Sequence, residues 1–163
     1  MNEHKTYGTA STDPVAAGMS ESSQTVVKGN QVMGARILSS VDEDHEGPEP
    51  RVMAAGTLEG DDVVNPAGEK LGTLDEIMLD VPTGRIAYAV LSSGGFLGIG
   101  EKFYAVPWQA FTMDTDQKAF ILDVDKERLL SAPGFDKDHW PAMGDQRWAG
   151  QVHSYYGVRA YWE

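Results

Sequence analysis

From Asp61 onward the chain alternates short β-branched or aromatic runs with turn sequences, and this spacing most limits the fold it can adopt. Val63-Val64 is followed by Asn65-Pro66-Ala67-Gly68, and the strand expected from Leu71 to Val81 ends at Pro82-Thr83-Gly84. A further hairpin is expected around Asp114-Thr115-Asp116-Gln117. Asn, Asp, Pro and Gly in such clusters favour tight turns. Six short strands at this spacing predict a mainly β fold, a small antiparallel barrel or sandwich, and not a doubly wound sheet.

The segment after the Pro82-Thr83-Gly84 turn predicts the central strand. Residues Ile86 to Leu91 are apolar on both alternating phases, as in a strand covered on two faces or curved into a barrel. In the strand before the turn, Ile77, Leu79 and Val81 share one phase. Further on, Phe103 to Val106 predicts a strand ended by Pro107, which has no N–H to donate. Asp125 is expected to N-cap a short helix from Lys126 to about Ser131.

Composition divides the chain into three regions. Residues 1–51 hold eight acids, four bases and one aromatic, and are predicted to be a largely disordered extension that ends in the acidic proline linker 42–50. Within it, residues 26–41 predict a weak strand or docking segment. Residues 52–131 carry nearly every long β-branched run and are predicted to form the domain. Residues 132–163, hereafter the C-terminal segment, are predicted to pack on that domain or on a partner.

Charge and cysteine content exclude several classes of function. The net charge of −12 leaves no basic patch able to follow a phosphate backbone, so nucleic-acid binding is not expected. The same field repels anionic lipid and favours either solubility or a cationic partner, without choosing between the two. With no cysteine, the chain has no disulfide, thiolate metal site or cysteine nucleophile. No apolar run reaches the roughly 20 residues of a membrane helix, so we expect a cytoplasmic protein. We also expect no cofactor and no metal ion.

The glycine-rich run Gly94 to Lys102 superficially resembles a phosphate-binding loop. Such a loop lies between a strand and a helix N-terminus, whereas here another strand is expected to follow and no Ser or Thr succeeds Lys102. A wide β-loop with glycines at positive φ is therefore expected. Its apolar residues are predicted either to fold back over a barrel end or to form an exposed patch for a partner; they are Phe96, Leu97 and Ile99.

Acidic residues offer two further candidate sites. Asp123, Asp125 and Glu127 alternate as calcium ligands do, but Arg128 stands where that loop requires Gly, so helix capping explains them better. Asp75, Glu76 and Asp80 lie on a strand near an expected bulge, where one of them could point inward and titrate abnormally. We expect no catalytic residue here, because structural networks often mimic such sites. The four histidines show no i, i+4 ligand spacing.

The C-terminal segment combines seven aromatic residues with few charges, a composition enriched in interaction hot spots. Two interpretations remain open, namely packing as a lid on the chain's own domain or a second subunit, and binding of another protein. Exposure of all these rings would favour aggregation, which supports the lid. With the loop residues Phe96, Leu97 and Ile99, the candidate partner-binding residues are Trp140, Trp148, Tyr155, Tyr156 and Trp162.

Several of these motifs, in order, strongly resemble the PRC-barrel family. They are Gly60 to Gly72, Glu76 to Leu91, Gly94 to Gly98 and Tyr104 to Trp108, about the middle half of the chain. The segment from Ala132 to Gly157 is similar to the extension of stand-alone bacterial members. The resemblance implies a small PRC-type β-barrel with a short C-terminal helix and an aromatic-rich tail.

Relatives of this barrel include the cytoplasmic part of the photosynthetic reaction-centre H subunit and the C-terminal domain of a ribosome maturation factor, both non-catalytic modules that contact macromolecules. The resemblance therefore implies a non-enzymatic adaptor that binds a protein or itself. The chain shows neither a transmembrane helix before the barrel nor the partner domain of the ribosome factor, so a photosynthetic complex is a partner by family analogy alone. The alternative function is a small-molecule or metal-binding sensor that uses Asp75, Glu76 and Asp80 near a barrel mouth.

Overall fold

The structure, a computed structural model, describes residues 34–38, 52–94 and 100–163. The rest of the N-terminal extension and most of the glycine-rich loop lie outside these ranges. The strands are β1 (Arg36–Leu38), β2 (Asp62–Val64), β3 (Lys70–Asp80), β4 (Arg85–Ser93), β5 (Lys102–Pro107), β6 (Phe111–Asp114), β7 (Ala119–Leu122) and β8 (Gly134–Phe135). The helices are α1 (Ala55–Leu58), α2 (Lys126–Leu130) and α3 (Gln146–Tyr156), and Trp108–Ala110 forms one 3-10 turn.

The described strands form one sheet, in the order β1-β6-β7-β2-β3-β4-β5-β8. The hairpins β3–β4 and β6–β7 are antiparallel and turn where the sequence predicts, with Asp80 opposite Arg85 and Asp114 opposite Ala119. Two other pairings, β2 with β7 and β1 with β6, are parallel and join segments far apart in the sequence. The mainly β class is confirmed, and five of the seven strand pairings among the described residues are antiparallel.

Closure of the sheet into a barrel, which the sequence predicts, is not found among the described strands. The hydrogen-bonded order begins at β1 and ends at β8, and no pairing joins these two ends. The end strands are short, with three and two residues. Two register shifts interrupt the ladder between β3 and β4, one of which leaves Asp75 as an extra residue between Leu74 and Glu76. Such bulges increase the local twist and so curve the sheet.

One face of this sheet, the inner face, encloses the main core. Most of its buried side chains come from the six strands β2 to β7, and Leu58 of α1 and Leu129 of α2 also belong to the cluster. The largest members include Tyr104, Phe111 and Phe120, and the last two rings meet edge to face at 5.7 Å. Burial of this apolar surface is the main contribution to folding.

The predicted central strand β4 is covered on both faces, as its two-phase apolar pattern indicates. Ala89 and Leu91 point into the inner core, whereas Tyr88 and Val90 belong to a second cluster on the other face. Ala87 lies at a register shift, opposite no residue of β3, and joins the second cluster as well. The sheet therefore has a second buried face, hereafter the outer face, formed by Ala87, Tyr88, Val90, Phe103 and Ala105.

The predicted cap of helix α2 is present. Asp125 Oδ1 accepts a hydrogen bond of 2.6 Å from the backbone N–H of Arg128. We expect Asp125→Ala to lower the free energy of unfolding by about 1 kcal/mol, since this N–H then loses its partner. Urea denaturation measures the change, and Asp125→Asn, which keeps an acceptor oxygen, should preserve most of the stability. Equal losses in both variants would contradict the capping role.

Helix α3 in the C-terminal segment is absent from the sequence predictions. Its signals are nevertheless local. Asp145 caps the first turn by accepting from the N–H groups of Arg147 and Trp148, and Gly157 ends the helix in the left-handed conformation at φ 67°. An N-cap acid and a C-terminal glycine around an apolar i, i+4 spacing are the usual marks of such a helix.

Candidate interaction surface

The C-terminal segment lies on the outer face of the sheet. Strand β8 extends the sheet beside β5, with Phe135 opposite Phe103, and α3 buries Ala149 and Val152 in the outer cluster. Gly134 permits the close approach of β8, since a Cβ there would lie 2.8 Å from a ring carbon of Tyr104. The segment thus completes the second core of the same unit.

Tyr88 is the centre of the contact between β4 and the C-terminal segment. Its side chain is 1% exposed. Three rings of the segment surround it edge to face, with centroid distances of 5.4 Å to Trp148, 5.5 Å to His153 and 5.9 Å to Tyr161. Burial raises the pKa of Tyr88 well above its ordinary value, and its hydroxyl has no hydrogen-bond partner among the described residues. Such an orphan hydroxyl costs stability.

His153 is the second buried polar group of this cluster, with 2% exposure. Its Nδ1 lies 2.8 Å from the carbonyl oxygen of Ala149, a geometry that requires a proton on Nδ1. Nε2 is then the acceptor, and it has no partner among the described residues. Burial lowers the pKa of His153, although the Ala149 carbonyl and the charge of Glu163 act in the opposite direction. The packed state therefore favours a neutral ring.

A second attachment joins α3 to α2. Arg128 Nη2 donates to the carbonyl oxygen of Tyr155 at 2.8 Å, and the Tyr155 hydroxyl donates in return to the carbonyl oxygen of Arg128. The guanidinium also lies 5.6 Å from the centroid of the Tyr155 ring. The neighbouring Tyr156 is half-buried and contacts both cores. These contacts place Tyr155 and Tyr156 against their own domain, with limited surface for a partner.

Two aromatic side chains of the C-terminal segment remain open to solvent. Trp140 is 44% exposed, although its ring packs 5.0 Å from Phe135 and its Nε1 donates to the carbonyl oxygen of Lys137. Trp162 is 38% exposed and packs on His153 at 5.1 Å. Among the candidate partner-binding residues, these two offer the open aromatic surface. Trp148 is half-buried against Tyr88, and Phe96, Leu97 and Ile99 lie outside the described residues.

The β3–β4 hairpin adds exposed apolar residues that sequence reasoning missed. Of the three residues on one phase, Ile77 packs on the inner core, but Leu79 is 58% and Val81 83% exposed. Their common phase therefore does not imply common burial. The hairpin extends past the core, and Val81 already belongs to the turn. Arg85 Nη1 donates to the carbonyl oxygen of Tyr161 at 2.8 Å, which ties the turn end of this hairpin to the segment carrying Trp162.

The acidic residues proposed for a sensor do not converge. Asp75 and Glu76 are exposed, and Asp80 accepts a hydrogen bond of 2.8 Å from the hydroxyl of Thr83 in the hairpin turn. In residues 34–38, 52–94 and 100–163, no group of three or more His, Asp or Glu side chains is arranged to hold a metal ion. The described helices likewise include none that is both long and apolar enough to cross a membrane.

Gly94 and Gly100 have φ of 81° and 80°, the positive values expected for the glycine-rich loop. Strand β5 follows this loop directly, with Lys102 opposite Ser93 of β4. A phosphate site would need a helix N-terminus at this position. The loop is a β4–β5 connection.

Comparisons with known proteins relate part of this chain to one domain family. Residues 50–129 match the model of the PRC-barrel domain. The comparison with curated proteins found no match. Among solved structures, the chain is similar to RimM of Pseudomonas aeruginosa, a protein assigned to 16S ribosomal RNA processing, with 17% identity and a TM-score of 0.34. The similarity covers 49% of each chain, so the chain spans about half the length of that protein. Residues 50–129 of this chain are a PRC-barrel domain.

Proposed function

We propose that this chain is a non-enzymatic adaptor that binds a protein partner, or a second copy of itself, through the exposed rings Trp140 and Trp162. The observation that carries the proposal is their position. The outer face offers a buried environment in which Phe135, Trp148 and Tyr161 are packed, yet these two large rings lie at its rim with more than a third of their surface open. Tryptophan is among the residues most enriched at the centre of protein interfaces.

The charge around Trp140 indicates the chemistry of the partner. Two acids, Asp136 and Asp138, and one base, Lys137, precede the ring, and all residues from 136 to 140 are exposed. A Lys or Arg side chain of a partner can stack on the open indole face and pair with a neighbouring carboxylate. The net charge of −12 accelerates association with a cationic surface. A partner with a basic contact surface therefore fits best.

A barrel scaffold is part of the proposal. β5 and β6 stand at opposite ends of the β6-β7-β2-β3-β4-β5 run, yet their side chains share one inner core. This convergence supports a sheet curled towards closure.

The alternative function, a small-molecule or metal-binding sensor, is not proposed, because Asp75, Glu76 and Asp80 are not brought together around one site.

The proposal is tested with Trp140→Ser/Trp162→Ser in the full chain. Loss of two rings at an interface should weaken self-association, measured by sedimentation velocity, or capture of a basic partner from native extract by at least about tenfold. Leu130→Ser is the matched control, since Leu130 is an exposed apolar residue of α2 outside the C-terminal segment. Circular dichroism checks that each variant is folded. Unchanged assembly and an unchanged set of captured proteins would refute the proposal.

Point substitutions are preferable to deletion of residues 132–163. Deletion would uncover the outer face, including Tyr88, Val90 and Phe103, and newly exposed apolar surface promotes non-specific association. A change in assembly would then have two possible causes.

A further inference from the structure

A buried ionisable ring, that of His153, lies in the contact between the C-terminal segment and the sheet, and the groups around it are nearly all uncharged. β4 contributes Tyr88, α3 contributes the Ala149 carbonyl, and the end of the chain contributes Tyr161 and Trp162. Glu163 is the one charged group among the described residues that acts on His153. Two charged groups lie one step further away: Arg85 donates to the carbonyl oxygen of Tyr161, and the charge of Asp80 acts on the Tyr161 side chain.

The hydrogen-bond geometry specifies one protonation state of His153. Nδ1 already donates to Ala149, so a second proton would have to enter at Nε2, which points to no acceptor among the described residues. A buried imidazolium with one unpaired N–H is costly, because the aromatic surroundings replace the hydration that the charge would have in water. Release of the segment from the sheet restores that hydration.

From this geometry we infer that the C-terminal segment is a pH-sensitive latch, closed on the outer face when His153 is neutral and opened by its protonation. Opening separates α3 and the Tyr161–Trp162 end from β4 and exposes the apolar outer face of the PRC-barrel domain. The inference goes beyond the proposed adaptor role, since it concerns access to a face that the segment covers.

The direction of the pH effect follows from the difference between the two states. In the open state His153 has its ordinary pKa of 6.5, and burial lowers that pKa in the closed state. The open state therefore binds the proton more tightly. The latch is fully stable above about pH 6.5, and it weakens as the pH falls from there towards the lower pKa of the closed state, by up to about tenfold in the opening equilibrium per pH unit.

Hydrogen exchange of the full chain between pH 8 and pH 5 tests the latch. The protection factors of α3 amides, such as those of Ala149 and Val152, should be constant from pH 8 to pH 7 and fall by up to about tenfold per unit below 6.5. Amides of Val63 and Leu74 in the inner core should keep their protection. Constant protection of α3 down to pH 5 would overturn the inference.

Two variants test whether protonation of His153 causes the pH-dependent loss of α3 protection. His153→Phe keeps a ring but removes the titration, so its α3 protection should not change below pH 6.5. His139→Gln is the control, since His139 is exposed, and it should behave as the unmodified chain. A pH-dependent loss that persists in His153→Phe would also overturn the inference.

A spectroscopic measurement on the unmodified chain covers the case in which His153→Phe does not fold. The ring protons of His153, followed by NMR, should titrate below the ordinary histidine pKa of 6.5, and the loss of α3 protection should coincide with this titration. Titration of His153 at or above pH 6.5 would contradict a closed state that excludes the proton. None of these measurements depends on Trp140 or on a partner, so failure of the latch and failure of the adaptor proposal are distinguishable.

Discussion

Gly72→Ala is expected to destabilise the domain by about 3 kcal/mol, a large fraction of the roughly 5–15 kcal/mol by which folded proteins are stable. A Cβ on Gly72 would lie 2.2 Å from the carbonyl oxygen of Ser92 and 2.8 Å from Cδ1 of Leu91. The first contact is with the backbone of the paired strand, which no rotamer change can relieve. β3 and β4 would have to separate at the Thr73–Ser92 end of their ladder, where Gly72 also pairs with Val63 of β2.

Gly150→Ala is the matched control for Gly72→Ala. Gly150 lies within α3, where an added Cβ meets no atom within 4 Å. The same substitution should there raise the free energy of unfolding by about 1 kcal/mol, since alanine is the better helix former. Urea titrations give both values. Similar effects of the two substitutions would contradict the close approach at Gly72.

Tyr88→Ala is expected to cost about 3–5 kcal/mol and to release the C-terminal segment, because it removes the ring that Trp148, His153 and Tyr161 surround. Tyr88→Phe should have the opposite effect. It keeps the ring and removes a buried hydroxyl without a partner in the described structure, and we expect a gain of about 1 kcal/mol.

Tyr155→Phe controls for the loss of a phenolic hydroxyl as such. This hydroxyl donates to the carbonyl oxygen of Arg128, so its removal should cost about 0.5–1.5 kcal/mol. Urea denaturation measures the stability of all three variants, and tryptophan fluorescence reports the release of Trp148 in Tyr88→Ala. If Tyr88→Phe is as destabilising as Tyr155→Phe, the Tyr88 hydroxyl has a partner and the description of the cluster is wrong.

The sequence by itself determined the local hairpins and one helix cap. Turn residues act over four or five positions, so Pro82-Thr83-Gly84 and Asp114 to Gln117 specify their turns without help from distant segments. In the second turn, Asp114 Oδ1 accepts from the N–H groups of Asp116 and Gln117. The two-phase apolar pattern of β4 likewise predicted burial on both faces. The helix α3 could have been predicted from Asp145 and Gly157 on the same local grounds.

The tertiary structure alone decided the order of the strands and which apolar residues are buried. The parallel pairs β1–β6 and β2–β7 join segments separated by more than fifty residues, and no local preference specifies such partners. Of the weak strand expected within residues 26–41, the structure shows Arg36–Leu38, which pairs with the edge of β6.

Ile77 and Leu79 have the same phase in the alternating pattern of β3, yet only Ile77 packs on the core. Periodicity gives the phase of a side chain, whereas burial requires another element to cover it. For the same reason the contact between Tyr88 and His153, 65 residues apart, became visible only once α3 lay on the outer face of the sheet.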